Sequence, residues 1–168
     1  MAAISPLRSP SDSVALAARP PEADWRIYAV PAATVVVACD VQDPGNLGAI
    51  VRVAEAAGAS AVAVAGRSAD PFGWRALRGS MGSALRLPIV MHPDLDDAIR
   101  AVRAAGCRVA ATVPRGGTSI FEADLRRRVA VLIGGEGAGL PSSVVQKDRK
   151  STRLNSSHIQ KSRMPSSA

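Results

Sequence analysis

Apolar runs alternate with amphipathic stretches through the middle of the chain. Residues 34–40, 61–65, 87–90, 108–112 and 129–133 are short runs rich in Val, Ile and Ala, which predict strands buried on both faces. Residues 47–57 and 95–105 have helical character and are closed by Gly58 and Gly106. This alternation predicts an α/β fold with a mostly parallel sheet flanked by helices. In such folds, ligands bind in the loops beyond the carboxyl ends of the strands.

The two ends of the chain lack this pattern. Residues 1–30 are rich in Pro, Ser and Ala and are interpreted as an extended linker. Residues 148–168 hold six Ser among 21 residues without apolar periodicity, which predicts a disordered tail. The letters DRKSTRLNSSH and SRMPSSA in that tail resemble a translated sequencing-library adapter, so we interpret it as an artefact. Residues 31–147 then form a single domain.

The net charge gives little information about a binding partner once the tail is excluded. The chain of 168 residues has a net charge of +7, but the tail contributes +4 of it. The remaining +3 supports an RNA partner only weakly. The sequence has no apolar run of the roughly 20 residues that span a bilayer and no signal-peptide core, so we expect a cytoplasmic protein. Cys39 and Cys107 share no metal-ligand spacing, and we expect two buried thiols and no metal.

The first candidate loop, DVQDPGNLGAIVRVAEAAGA, covers residues 40–59. Pro44 and Gly45 predict a turn, and Asn46 is well placed to cap the following helix. Two interpretations remain open for Asn46 and for Arg52, two turns further on. Either they belong to a capped turn with a solvated arginine, or they form a polar pair at the entrance of one functional site.

The second candidate loop, IGGEGAGLP, covers residues 133–141 and follows a buried strand. Its glycines allow the backbone to approach a ligand closely. The spacing satisfies neither GxGxxG, because Glu136 replaces a required glycine, nor the P-loop pattern. Glu136 could also cap the next helix.

Together these segments resemble the SpoU/TrmH family of RNA ribose methyltransferases. NLGAIVR followed by AEAAGA, the segment GSMGSALRLPIV and then IGGEGAGLP are similar to that family's motifs and follow in the same order. The resemblance covers roughly residues 35–145. It implies the SPOUT α/β-knot fold, a homodimer at full length, S-adenosylmethionine as cofactor, and methylation of a ribose 2′-hydroxyl in rRNA or tRNA.

The resemblance also implies roles for individual residues. Arg52 matches the arginine implicated in activating the 2′-hydroxyl, with Asn46 and Glu136 beside it. Arginine stays protonated in proteins, so we assign Arg52 to orientation and charge stabilisation. The matching cofactor-loop positions are Thr112, Gly134, Gly135 and Leu140. Basic residues that could contact RNA phosphates are Arg67, Arg75, Arg78 and Arg86.

The chain departs from the family at both ends. The third motif, an Ile-Pro-Met segment followed by Ser-Leu-Asn, is absent; Leu154, Asn155 and Ser156 repeat part of it without the preceding apolar strand. We therefore expect the knot-forming segment to be missing and the fragment itself to be inactive. The first 30 residues resemble only the linker that leaves an N-terminal RNA-binding domain.

Two alternatives to a methyltransferase remain. A non-catalytic RNA-binding module of the same fold is disfavoured by the presence of Asn46, Arg52 and Glu136. A nucleotide-dependent oxidoreductase is disfavoured because the glycine fingerprint is absent.

Overall fold

The apolar runs form one parallel sheet in a computed structural model that describes residues 15–113, 117–135, 139–142, 144 and the backbone of 152–155. In the described residues its strands are β1 (Thr34–Cys39), β2 (Ala61–Ala65), β3 (Ile89–His92), β4 (Arg108–Val113), β5 (Thr118–Ser119), β6 (Val129–Gly134) and β7 (Thr152–Asn155). Their order is β3-β2-β1-β6-β4-β7-β5, and every pairing between them is parallel. The predicted parallel α/β fold is therefore confirmed.

Helices cover both faces of this sheet. Within the described ranges, the α-helices with defined bounds are α1 (Pro44–Ala56), α2 (Trp74–Ser80) and α3 (Leu95–Ala104), and short 3-10 helices occupy Trp25–Ala29 and Ser83–Leu85. One core packs α1 against β1 and β2 through Leu47 and Val51. The other core packs α3, through Ala98 and Val102, against the opposite face. In the described part of the chain, no helix is long and apolar enough to cross a membrane.

Helices α1 and α2 pack with their backbones in close contact. A Cβ atom on Gly48 would collide with the backbone of Ala76 and Ser80, and one on Gly79 would crowd Gly45. Only glycine permits such a short interhelical distance. The amino-terminal half of α1 is therefore fixed against α2.

Three segments differ from the sequence-based expectation. Trp25–Ala29 is a 3-10 helix rather than extended linker, and it buries Tyr28 completely in the α3-side core. The third strand is Ile89–His92 rather than residues 87–90, and His92 ends it. Helix α2 was not predicted, because WRALRGS is short, contains a glycine and has no side-chain N-cap.

The tail contributes one strand. β7 (Thr152–Asn155) pairs with both β4 and β5, so the prediction of disorder is wrong for these four residues. The rest of the tail lies outside the described residues, and its interpretation as an adapter stays a prediction.

Candidate functional site

A cavity of about 570 Å³ opens where β1 and β6 end side by side. Residues that follow β1 form much of its wall, and the turn after β6 and one loop arginine complete it. The lining residues are Asp40, Val41, Gln42, Asp43, Pro44, Asn46, Arg67, Gly135 and Gly139. This volume lies in the range of small-molecule sites, and the position is the one expected for a parallel α/β sheet.

Close backbone contact shapes the β6 side of the cavity. A Cβ atom on Gly135 would collide with the backbone oxygen of Asp40, which is why this position needs glycine. Gly135 also accepts a hydrogen bond from the Gly139 N–H at 3.2 Å. Gly135 and Gly139 are thus held together beside the end of β1.

Asp43, not Asn46, caps α1. The Asp43 Oδ1 atom accepts a hydrogen bond from the Asn46 N–H at 2.8 Å, and Pro44 occupies the first helical position. Both residue types are good caps, but proline at the first helical position places the cap one residue before it. The predicted cap was therefore wrong, and Asn46 lies in the first turn, where its side chain lines the cavity.

Asp40 ties a second loop to the cavity wall. Its Oδ1 atom accepts a hydrogen bond from the Arg67 N–H at 2.8 Å. The next residue, Val41, donates its N–H to the Ser68 hydroxyl at 3.1 Å and accepts from the Ala69 N–H at 2.9 Å. The loop that carries Arg67 is therefore held in place by three hydrogen bonds, and Arg67 joins Asp40 and Asp43 in lining the cavity.

Arg52 lies away from the cavity. It is exposed on α1, and its Nη1 atom lies 3.2 Å from the sulfur of Met81 at the end of α2. Six residues separate it from Asn46, which amounts to about 9 Å along the helix axis and about 120° around it. The structure therefore brings Asn46, but not Arg52, to the cavity.

The predicted cofactor-loop residues lie along the same edge of the sheet. Gly134 ends β6 and Gly135 lines the cavity, while Leu140 is half-buried against the α3-side core. Thr112, near the end of neighbouring β4, donates its hydroxyl to the Leu132 carbonyl oxygen at 2.8 Å. Glu136 lies outside the described residues.

The four candidate RNA-binding arginines have different surroundings. Arg67 lines the cavity, and Arg75 lies over the ring of Trp74 at 5.3 Å from its centroid. Arg78 is exposed on α2. Arg86 forms a two-point ion pair with Glu55, with distances of 2.6 and 2.7 Å, and this pairing holds the pKa of the Glu55 carboxyl near 2.

The buried thiols carry no nucleophilic character. Cys39 and Cys107 are both free and buried, as expected. Burial, followed by the nearby Asp40 carboxylate, raises the pKa of Cys39 to about 12, so the thiol stays protonated near neutral pH.

A polar chain runs from the core to the surface on the other face of the sheet, with Tyr28 and His92 buried. The Tyr28 hydroxyl lies 3.0 Å from His92 Nε2, and His92 Nδ1 lies 2.8 Å from Asp97, which also pairs with Arg100. These partners hold His92 in a structural role.

Sequence reasoning missed Asp40, Gln42 and Asp43 as cavity residues. The signal was present, because these polar residues immediately follow a strand buried on both faces. That position in a parallel sheet faces the ligand side.

Comparison with known proteins agrees with this geometry. Residues 33–162 match the model of the SpoU rRNA Methylase family. Over 107 residues the chain is 36% identical to the 23S rRNA (guanosine(2553)-2'-O)-methyltransferase RlmP of Bacillus subtilis, covering 64% of this chain and 43% of that protein. The chain thus spans less than half the length of this relative.

Solved structures give the same result. The AdoMet-bound rRNA methyltransferase from Sinorhizobium meliloti superimposes with a TM-score of 0.72 at 33% identity, covering 88% of this chain and 55% of that one. The SpoU methyltransferase AviRb from Streptomyces viridochromogenes gives a TM-score of 0.68 at 31% identity, covering 88% and 57%.

Proposed function

The chain belongs to the SpoU rRNA methylase family, and from this membership and the cavity we propose that it is part of an enzyme that methylates a ribose 2′-hydroxyl in RNA. The observation that carries the proposal is the cavity at the ends of β1 and β6, where Asn46 and Arg67 meet the glycine-rich turn. Ribosomal RNA is the proposed substrate, since RlmP acts on 23S rRNA. We place the reaction in the cytoplasm.

We assign the cavity to the acceptor ribose. Arg67, whose backbone is held by Asp40, supplies a cation for a backbone phosphate, and the Asn46 amide supplies a donor and an acceptor for sugar hydroxyls. Held in this way, the 2′-hydroxyl would enter the reaction with little remaining freedom, which is a large part of the catalytic task.

S-adenosylmethionine is the proposed cofactor, and the residues present fit it. Gly139 has open space where a Cβ atom would stand, and the neighbouring Leu140 adds apolar surface, so the turn after β6 can take the flat adenosine part closely. Gly134, Gly135 and Thr112 border the same edge. When bound, the cofactor supplies the methyl group as an electrophile.

Arg52 and Glu136 keep the roles that the family resemblance implies, as proposals. A target strand that runs along α1 from the cavity would reach the exposed guanidinium of Arg52. There it would orient the strand that carries the acceptor ribose, whose 2′-hydroxyl lies in the cavity.

We also propose that the enzyme forms a homodimer through the surface beside Arg52. Met81 is 72% exposed and Val53 61% exposed, and large apolar side chains at such exposure are typical of protein interfaces. Covering Met81 would place Arg52 at the edge of that interface, because its guanidinium contacts the Met81 sulfur.

The proposal is tested by separating cofactor binding from methyl transfer in the full-length product of the source gene. We expect Asn46→Ala and Arg52→Ala to leave S-adenosylmethionine affinity within about two-fold, measured by calorimetry. Methyl transfer to unmodified 23S rRNA should fall about 100-fold or more. Arg103→Ala, an exposed arginine on α3, is the matched control and should change neither quantity. Full transfer by both the Asn46 and the Arg52 variants would contradict the assignment.

A further inference from the structure

Trp74 is an exposed aromatic ring in a basic part of the surface. It begins α2, and 44% of its surface is open to solvent. The guanidinium of Arg75 lies over its ring, within the distance at which a cation and an aromatic face attract each other. Arg78 follows one turn later on the same short helix and is also exposed.

The loop that leads to Trp74 is fixed to the cavity. It starts at Arg67, which lines the cavity, and it is hydrogen-bonded to Asp40 and Val41. Its middle is braced as well, because Arg19 pairs with Asp70 at 3.5 Å and lies 4.4 Å from the ring centre of Phe72. Trp74 is thus held at the end of a tethered loop.

The distance from Trp74 to the cavity is short. Helix α2 has seven residues and is about 10 Å long. Near its other end, Gly79 touches Gly45, which lies between the cavity residues Pro44 and Asn46. An aromatic ring and several arginines therefore stand within a few nucleotides' reach of the cavity.

We propose that Trp74 stacks on an unpaired base of the RNA substrate next to the ribose held in the cavity. This inference rests on the proposed function. Proteins that bind single-stranded RNA combine an aromatic stacking surface with cations that follow the phosphates, and Trp74 with Arg67, Arg75 and Arg78 has this composition. Paired bases are already stacked, so the site selects an unpaired target region.

Tryptophan fluorescence offers a direct test in the full-length product. Trp25 is replaced by Phe so that Trp74 reports from the described part of the chain. Any tryptophan contributed by the additional sequence is replaced in the same way. Titration with a single-stranded RNA decamer should quench the Trp74 emission, and the same decamer in a duplex should quench it much less.

Affinity variants complete the test. Trp74→Ala and Trp74→Leu should weaken binding of the single-stranded decamer about ten-fold, because neither residue has an aromatic face. Trp74→Phe should stay within about three-fold of the wild type. Trp25→Ala is the matched control, since Trp25 is 43% exposed but lies on the α3 side of the sheet, and it should have no effect.

The stacking role of Trp74 and the proposed function would be contradicted by different results. If RNA binds the wild type and the Ala and Leu variants equally well, the stacking role is wrong while the proposed function stands. Failure of the wild type to bind any RNA would contradict the proposed function itself. Dissociation of a dimer on Trp74→Ala, with RNA affinity per protomer unchanged, would assign Trp74 to a protein interface and overturn the inference.

Discussion

The two faces of the sheet are stabilised in different ways. On the α1 side, helices meet through glycine backbones at Gly48 and Gly79, and the polar side chains of α1 remain at the surface or in the cavity. On the α3 side, a chain of buried Tyr28, buried His92 and half-buried Asp97 joins three separate segments. The functional face thus packs its helices through backbone contact, while the opposite face is joined by side-chain hydrogen bonds.

Gly48→Ala should have the largest effect on stability. The new methyl group would collide with the backbone of Ala76 and Ser80, so α1 and α2 must move apart. We expect a loss of about 2–3 kcal/mol in the free energy of unfolding, measured by urea denaturation. Gly58→Asn, at a position with open space, should cost less than about 1 kcal/mol. Equal effects at both positions would contradict close backbone packing as the basis of this face.

Tyr28→Phe tests the opposite face and should have a smaller effect. It removes the hydroxyl partner of His92 Nε2 inside the protein, leaving a buried polar atom unsatisfied. We expect a loss of about 1–2 kcal/mol in the free energy of unfolding, with no change in S-adenosylmethionine or RNA affinity. A loss of RNA binding without loss of stability would show that this face also takes part in function.

The central strands could be predicted from the sequence, but the polar contact on the α3 side and β7 could not. The strands β1, β2 and β6 were recognised because each is a short apolar run between turn signals, and such runs are typical of central parallel strands. The Tyr28–His92 contact could not be predicted, since 64 residues separate its members and neither lies in a motif. β7 was missed because its letters show no apolar alternation.

The candidate site was predicted only in part. Asn46, Gly135 and Arg67 were named from the sequence and do line the cavity. Asn46 was grouped with Arg52 as one interpretation of the loop and through the family motif, and helix geometry separates these two, because six residues do not return to the same face. Asp40 was missed because its part is to hold the Arg67 loop, a tertiary contact across 27 residues.

Acid should weaken one ion pair on each face, and this is the smallest expected effect. Hydrogen bonding to Arg86 lowers the pKa of Glu55 from 4.5 to about 2, and hydrogen bonding to His92 and Arg100 lowers that of Asp97. A carboxyl whose pKa is lowered by folding stabilises the protein above its unfolded-state pKa. That contribution is lost as the pH falls through the folded-state value.

Urea midpoints between pH 7 and pH 2 check this prediction. Stability should decline from about pH 4.5 downward, and Glu55→Gln should reduce the decline while lowering stability at pH 7 slightly. Asp97→Asn should act likewise on the α3 side. A Glu55→Gln profile that parallels the wild type throughout would show that the pair with Arg86 adds nothing to stability.

The most direct test of the central claim is to identify the methylated nucleoside. The full-length product is incubated with unmodified 23S rRNA and isotope-labelled S-adenosylmethionine, and the digested RNA is examined by mass spectrometry. We expect the label on one ribose 2′-oxygen, with the signal lost in Asn46→Ala. Label on a base, or undiminished 2′-O-methylation by Asn46→Ala, would contradict the assignment of the cavity to the acceptor ribose.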